Sequence, residues 1–231
     1  MPSRILPCYL LSIEPEDPLR FSITELRSIL AAQLAAYTAL QPTATSGWIH
    51  RYPVVQIKRV KTKLIALGLG QGAGFLHDLT RGQGSLGTGS HSCRIAFRDP
   101  VIRQERFGIA GTSAEYAFQT PWHALNQQNA RKFYDLKGKP ARDTFVLNLL
   151  HAQLNSLAKS LDYPLTEPLS CTAKIRFLME QDGGERNIVF LGRFRTNLCI
   201  PDYFGIGRDV SLGHGTIKRI TDPEKEYTGE P

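Results

Sequence analysis

Apolar positions recur in strand-like runs and helix-period stripes, and they predict a repeated alternation of strands and helices. Residues 4–13 (RILPCYLLSI) form a nearly continuous apolar run that reads as a buried strand, followed by a turn at Pro15–Pro18. Ser22 and Glu25 make a capping-box pattern, SITE. Ile23, Leu26, Ile29, Leu30, Leu34 and Tyr37 follow at helical spacing, so a helix is expected over 22–38 with its stripe turned to a core. After the loop QPTATSG (41–47), residues 48–60 and 63–69 predict two strands joined by a hairpin turn at Lys61-Thr62. Gly70–Gly74 opens a short helix through Leu79. A glycine loop occupies 81–90, and its spacing fits neither a dinucleotide fingerprint nor a phosphate-binding P-loop. Strands at Arg94–Phe97 and Arg103–Ile109 flank Asp99-Pro100. Residues 1–110 thus read β-α-β-β-α-β, the ferredoxin-like order.

A second unit is expected over 111–220. Ala114–Phe118 is a short strand, and Thr120-Pro121-Trp122 opens a helix over 122–134 that Lys137–Pro140 breaks. Asp143 is placed to cap a longer helix with Leu147, Leu150, Leu154, Leu157 and Leu161 on one face. Its exposed side carries Asn148, His151, Asn155 and Lys159. Strands at 171–179 and 187–198 are joined by Asp182-Gly183-Gly184, and a last strand covers 215–220. Two α+β units follow, with residues 221–231 an acidic tail expected to be disordered.

Composition adds a partner class. Of the 231 residues, 42% are apolar and 21% charged, the balance of a soluble globular protein. The net charge is +7, and the tail contributes −3, so residues 1–220 carry +10. A folded body this basic points to a polyanion, nucleic acid first. Cys8, Cys93, Cys171 and Cys199 lie far apart with no CxxC, which suits free thiols in a reducing compartment rather than zinc ligands. The N-terminal apolar run is too short to span a bilayer and lacks the marks of a signal peptide, so a cytoplasmic protein without a membrane partner is expected.

Candidate chemistry gathers in two places. Asn197–Arg219 (NLCIPDYFGIGRDVSLGHGTIKR) holds Gly205, Gly207, Gly213 and Gly215 beside Arg208, Lys218 and Arg219. Exposed amides plus cations suit a phosphate, although a plain turn-rich loop fits the same spacing. Arg51, Lys58, Arg59, Lys61 and Lys63 form the densest cationic run, with Trp48 and Tyr52 nearby to stack on bases. His50 heads that run, and an imidazole can move a proton during phosphodiester cleavage. No carboxylate cluster accompanies it to hold a divalent ion, so metal-free chemistry on RNA is the natural expectation: a ribose 2′-OH attacks the adjacent phosphate while cations stabilise the added charge. His77 reads as packed, His91 follows the flexible loop, and His123 and His151 have no neighbour at metal-ligand spacing. His214, inside the glycine stretch, is a second candidate for touching substrate.

Three blocks resemble the CRISPR repeat-processing endoribonuclease family. Arg51–Lys58 (RYPVVQIK) is similar to its RYPLIQYK-type strand. Pro201–Arg208 (PDYFGIGR) and Val210–Ile217 (VSLGHGTI) are similar to its PDYIGLGK and VSRGFGTI segments. Thr120–Asn129 (TPWHALNQQN) is similar to SPWLALNEEN. The resemblance spans nearly the whole chain to Ile220. It departs where relatives carry an FHNH-type segment, here Leu40–Thr43, where His50 replaces an aromatic residue before RYP, near the family's general base or acid but not at its motif position, and where Leu212 and His214 replace a basic and an aromatic residue.

The resemblance implies tandem ferredoxin-like (RRM-like) domains with a C-terminal glycine-rich loop. It implies metal-independent cleavage of CRISPR repeat RNA (pre-crRNA) without a cofactor, leaving a 2′,3′-cyclic phosphate and a 5′-hydroxyl, with the RNA in the glycine loop and the interdomain cleft. Other subunits of a CRISPR effector complex are further implied partners. On this reading His50 transfers protons, Tyr52 orients it, and Lys58 or Arg51 stabilises the phosphorane. Arg59, Lys61, Lys63, Arg208, Ser211, His214, Lys218 and Arg219 join Arg51 in holding RNA. Two alternatives are a catalytically inactive repeat-RNA-binding subunit and a ferredoxin-like metabolic enzyme with a glycine-rich phosphate site.

Overall fold

The computed structural model describes residues 3–15, 23–39, 53–82, 86–88, 91–93, 95–182 and 185–220. The chain divides into two compact units. The first comprises Ile5–Glu105 together with Asp209–Gly213, and the second comprises Arg106–Arg208 with the chain from His214 onward and the N-terminal residues to Arg4.

The first unit builds from β1 (Arg4–Pro15), α1 (Ile23–Ala39), β2 (Val55–Val60), β3 (Lys63–Leu69) and α2 (Gln71–Gly82), followed by the small hairpin β4 (Leu86–Thr88) and β5 (His91–Cys93) and the start of β6 (Ile95–Phe118). The strand order is β2-β3-β1-β6. That is the order expected of a β-α-β-β-α-β ferredoxin-like sheet, in which the last strand lies beside the first. The turn expected at Lys61-Thr62 is present: Val60 pairs with Lys63, and Lys61 takes φ 54 to close the hairpin. One face of the sheet, including Tyr9, Leu11, Ile13, Ile57, Leu64 and Ala66, packs against Leu26, Ile29 and Leu30 of α1 and Phe75 and Leu76 of α2.

The second unit is made from the rest of β6, α3 (Gln127–Asp135), α4 (Lys139–Ser160), β7 (Cys171–Asp182), β8 (Glu185–Cys199) and β9 (Ile217–Arg219). Its antiparallel order is β9-β6-β8-β7, again the ferredoxin-like order with β6 as first strand and β9 as last. The position of the second helix, between β8 and β9, is taken by the glycine-rich segment. That segment has a single 3₁₀ turn, Val210–Leu212. Aromatic rings fill the core. Trp122 lies 5.1 Å from Phe118 in a stack and 5.5 Å from Phe190, and Tyr116 stacks on Phe194. Leu150, Leu154 and Leu157 of α4 are fully buried, as their spacing predicts.

Three local expectations need correction. The strands expected at 94–97, 103–109 and 114–118 are one strand, β6. Asp99 passes the Asp99-Pro100 break with φ 49, and a register shift between Ile109 and Ala114 absorbs the second interruption. The helix expected from Trp122 begins at Gln127, because Trp122 is held extended by two backbone hydrogen bonds with Phe190 and Asn126 caps the helix by accepting from the Asn129 amide. Asp143 lies inside α4 rather than capping it. Pro140 in the first turn needs no N–H partner and has φ preset, so the helix starts at Lys139.

Candidate functional site

Segment 201–217 is held mainly by its own backbone and by apolar anchors. Phe204, Ile206, Thr216 and Ile217 are completely buried, and Val210 nearly so. In the C-terminal unit the Tyr203 amide donates to the Ile217 carbonyl at 2.7 Å and the Ile206 amide to the Gly215 carbonyl at 2.9 Å. The Gly215 amide donates to Pro121 at 2.8 Å, the Arg208 amide to His123 at 3.0 Å, and the Thr216 amide to the Thr120 hydroxyl at 2.9 Å. The block TPWHALNQQN is therefore the strip of chain that receives the glycine segment. Its Trp122 is the buried wedge, with the indole N–H donating to Gln153 Oε1 at 2.8 Å.

Two glycines are required by this packing. Gly207 has φ +100, and a Cβ there would lie 2.7 Å from the Trp122 indole nitrogen. Gly215 has φ +63, and its Cβ would lie 1.9 Å from the Ile206 carbonyl oxygen. Both conformations and both contacts exclude a side chain. Many of the amides that the sequence offered to a phosphate are thus spent inside the fold. The cations beside them are displayed: Arg208, Lys218 and Arg219 are exposed. The Arg208 guanidinium is steadied by donating to the Leu125 carbonyl at 2.9 Å. Asp202 accepts from the Arg219 amide at 2.8 Å and ties the start of the segment to β9.

In the N-terminal unit the same segment contributes Asp209–Gly213. Lys58 is fully buried, and its ammonium donates to the Val210 carbonyl at 3.2 Å. Burial pushes the Lys58 pKa down from 10.5 to about 7. Lys58 is therefore not part of a solvated cationic ribbon. It sits inside the protein and fastens the 3₁₀ turn. Arg59, Lys61 and Lys63 are exposed, and Ser211 is half-buried beside a small concavity lined by Arg27, Pro53, Val55 and Ile57. His50, Arg51 and Tyr52 lie outside the described residues, as do Trp48 and Leu40–Thr43.

His214 has a neighbour that the linear spacing did not reveal. Its ring stacks on His123, with centroids 3.8 Å apart and planes inclined by 24°. His123 Nε2 lies 3.3 Å from Glu180 Oε2 on β7. The potential ligand atoms of His123, Glu180 and His214 all fall within 4.8 Å of one another. The bridge between His123 and Arg208 brings the glycine segment past residue 123, and the β7–β8 hairpin supplies the carboxylate. A separate concavity of about 790 Å³ in the C-terminal unit is lined by Phe133, Tyr134, Arg142 and Phe177, with the Arg142 guanidinium over two of the rings.

The comparisons with known proteins decide the family. The model of the Cas6b N-terminal domain matches residues 4–106, and that of the Cas6b C-terminal domain matches residues 108–220. The chain belongs to the Cas6b family. An uncharacterised protein of Methanocaldococcus jannaschii is 32% identical over 122 residues, covering 52% of this chain and 82% of that protein. A crystal structure of a CRISPR RNA processing endoribonuclease Cas6b superposes with a TM-score of 0.68 at 24% identity, and a second Cas6b structure with 0.72 at 23%. Each covers 93% of this chain and all of the other, so the tandem ferredoxin-like fold is shared along its length. Among the described residues no helix is long and apolar enough to cross a membrane.

Proposed function

We propose that this Cas6b-family chain cleaves CRISPR repeat transcripts into guide RNAs. The carrying observation is that both Cas6b domain models match in order and together span residues 4–220. In the proposed reaction a base removes the proton of a ribose 2′-OH, and the oxygen attacks the adjacent phosphorus. The 2′-O–P bond forms, the P–O5′ bond breaks, and the departing O5′ takes up a proton. The products are a 2′,3′-cyclic phosphate and a 5′-hydroxyl. Proton transfer and charge stabilisation suffice for this route, and neither step requires an ion. His50 is proposed to carry the proton, Tyr52 to orient it and Arg51 to stabilise the phosphorane. Lys58 is proposed as a positioning residue, since its ammonium holds the Val210 carbonyl rather than facing solvent.

RNA binding is assigned to side chains on the glycine segment and its surroundings: Arg208, Ser211, His214, Lys218 and Arg219, with Arg59, Lys61 and Lys63 in the N-terminal unit. The cytoplasm is the proposed compartment, and other subunits of an effector complex are proposed partners of the product.

The test is incubation with a cognate CRISPR repeat RNA, in EDTA. Cleavage is expected to persist, to stop when the 2′-OH at the scissile position is replaced by hydrogen, and to fall at least ~10²-fold in His50→Ala while RNA binding survives. Strong inhibition by EDTA that persists at saturating repeat RNA would overturn the metal-free route. Wild-type protein that binds the repeat without producing a discrete product would favour the inactive RNA-holding alternative.

A further inference from the structure

We propose that His123, Glu180 and His214 form a binding site for one divalent transition-metal cation of the zinc or cobalt type. The three residues come from three different stretches of the C-terminal unit: the strip after Trp122, β7, and the exit of the glycine segment. The two imidazole nitrogens are borderline donors and favour zinc, cobalt or nickel over magnesium or calcium, and the carboxylate oxygen completes a set that zinc accepts.

Donors on one such ion sit about 2.0–2.2 Å from it, so two of them lie about 3.4 Å apart in tetrahedral geometry and about 4.2 Å apart at most. His123 Nε2 and Glu180 Oε2, at 3.3 Å, already have tetrahedral spacing. The outer limit of 4.8 Å for the set leaves less than about 1.5 Å for His214 to close. An ion binds in the plane of an imidazole, and two nearly parallel rings 3.8 Å apart cannot share one. Metal capture therefore turns one ring out of the stack by rotation about its side-chain bonds. The backbone at Gly215 stays fixed by its bonds to Pro121 and Ile206.

Access is open, because the His123 side chain is 18% exposed and that of Glu180 35%. Three protein donors leave a fourth position for water. The bound ion cross-links the exit of the glycine segment to β7, so it is a clamp on the segment proposed to hold RNA and takes no part in the cleavage step.

The experiment uses the full-length protein stripped with EDTA, exchanged into chelator-free buffer and titrated with Zn²⁺ and with Co²⁺, in the absence of RNA. The wild type is expected to take up one equivalent of zinc more than a His123→Leu/His214→Phe variant, and to give cobalt d–d absorption that the variant lacks. Zinc is expected to raise its Tm by several degrees. Glu180→Gln, a conservative change at a partly exposed side chain, keeps the fold testable and is expected to weaken zinc binding at least ~10-fold. Equal zinc uptake by wild type and the double variant would overturn the site, as would unchanged affinity in Glu180→Gln. Neither result bears on the nuclease reading, which is tested in EDTA.

Discussion

Replacing Lys58 by Met should change the pH dependence of stability with a defined sign. Lys58 is fully buried, and burial lowers its pKa from 10.5 to about 7. Below pH 7 both the folded and the unfolded chain carry the proton, and the folded state bears the full cost of a buried ammonium. The shift corresponds to about 5 kcal/mol. Between pH 7 and 10.5 the folded protein has released the proton and the unfolded chain still binds it. Wild-type stability therefore gains from this group as pH rises through that window. By pH 9 only the last part of the cost remains, about 2 kcal/mol. Methionine fills the same space without a charge and removes the lysine's hydrogen bond to the Val210 carbonyl, which still accepts from the Gly213 amide at 3.2 Å, so the loss is about 1 kcal/mol at every pH. Lys58→Met should thus be more stable than wild type by about 4 kcal/mol at pH 6, and that advantage should shrink by about 3 kcal/mol at pH 9. Urea unfolding of both proteins at the two pH values, followed by far-UV circular dichroism, measures the difference. Other titrating groups cancel between the two proteins. Parallel pH dependence, with the difference constant within about 0.5 kcal/mol, would refute a buried lysine that titrates near neutrality.

Two further changes probe the scaffold of the C-terminal unit. Gly215→Ala places a Cβ 1.9 Å from the Ile206 oxygen at φ +63, so a loss of about 3 kcal/mol or more is expected in denaturant melts, with repeat-RNA binding lost alongside it. Tyr163→Phe removes the hydroxyl that accepts from the buried Ile109 amide at 3.1 Å and should cost about 1–3 kcal/mol by the same measurement, with cleavage unchanged at temperatures where the variant is folded.

What the sequence disclosed depended on distance along the chain. Periodicity found α1, the β2–β3 hairpin and the buried face of α4, because each is encoded by neighbours a few residues apart. It misplaced the start of α3, since Trp122 is kept extended by Phe190, a partner far along the chain. It divided β6, since Pro100 and Gly111 are usual strand breakers and the left-handed Asp99 and the register shift that accommodate them are properties of the fold. Lys58 read as one more cation in a basic strand. Strand alternation separated it from Arg59, but no local signal said that its face of the strand would be covered by Val210. The histidine pair was invisible for the same reason. His123 and Glu180 are 57 residues apart, and only the sheet and the bridge to Arg208 bring them beside His214.

The three family blocks now have one physical explanation. In the N-terminal unit a helix, α2, connects the third and fourth ferredoxin-like strands, and its hydrogen bonds are internal. In the C-terminal unit the same connection lacks that helix, and the segment must satisfy its amides elsewhere. It does so on Thr120, Pro121 and His123 in one unit, and it receives the Lys58 ammonium in the other. A helix would have presented side chains all round its axis. A segment whose backbone is bonded to its own unit presents what points away from that support, which here includes the exposed Arg208. Binding of a polyanion by such a surface depends on side-chain charge rather than on a nest of free amides. Its affinity should therefore track the exposed cations, while Gly207 and Gly215 act through the shape of the segment alone.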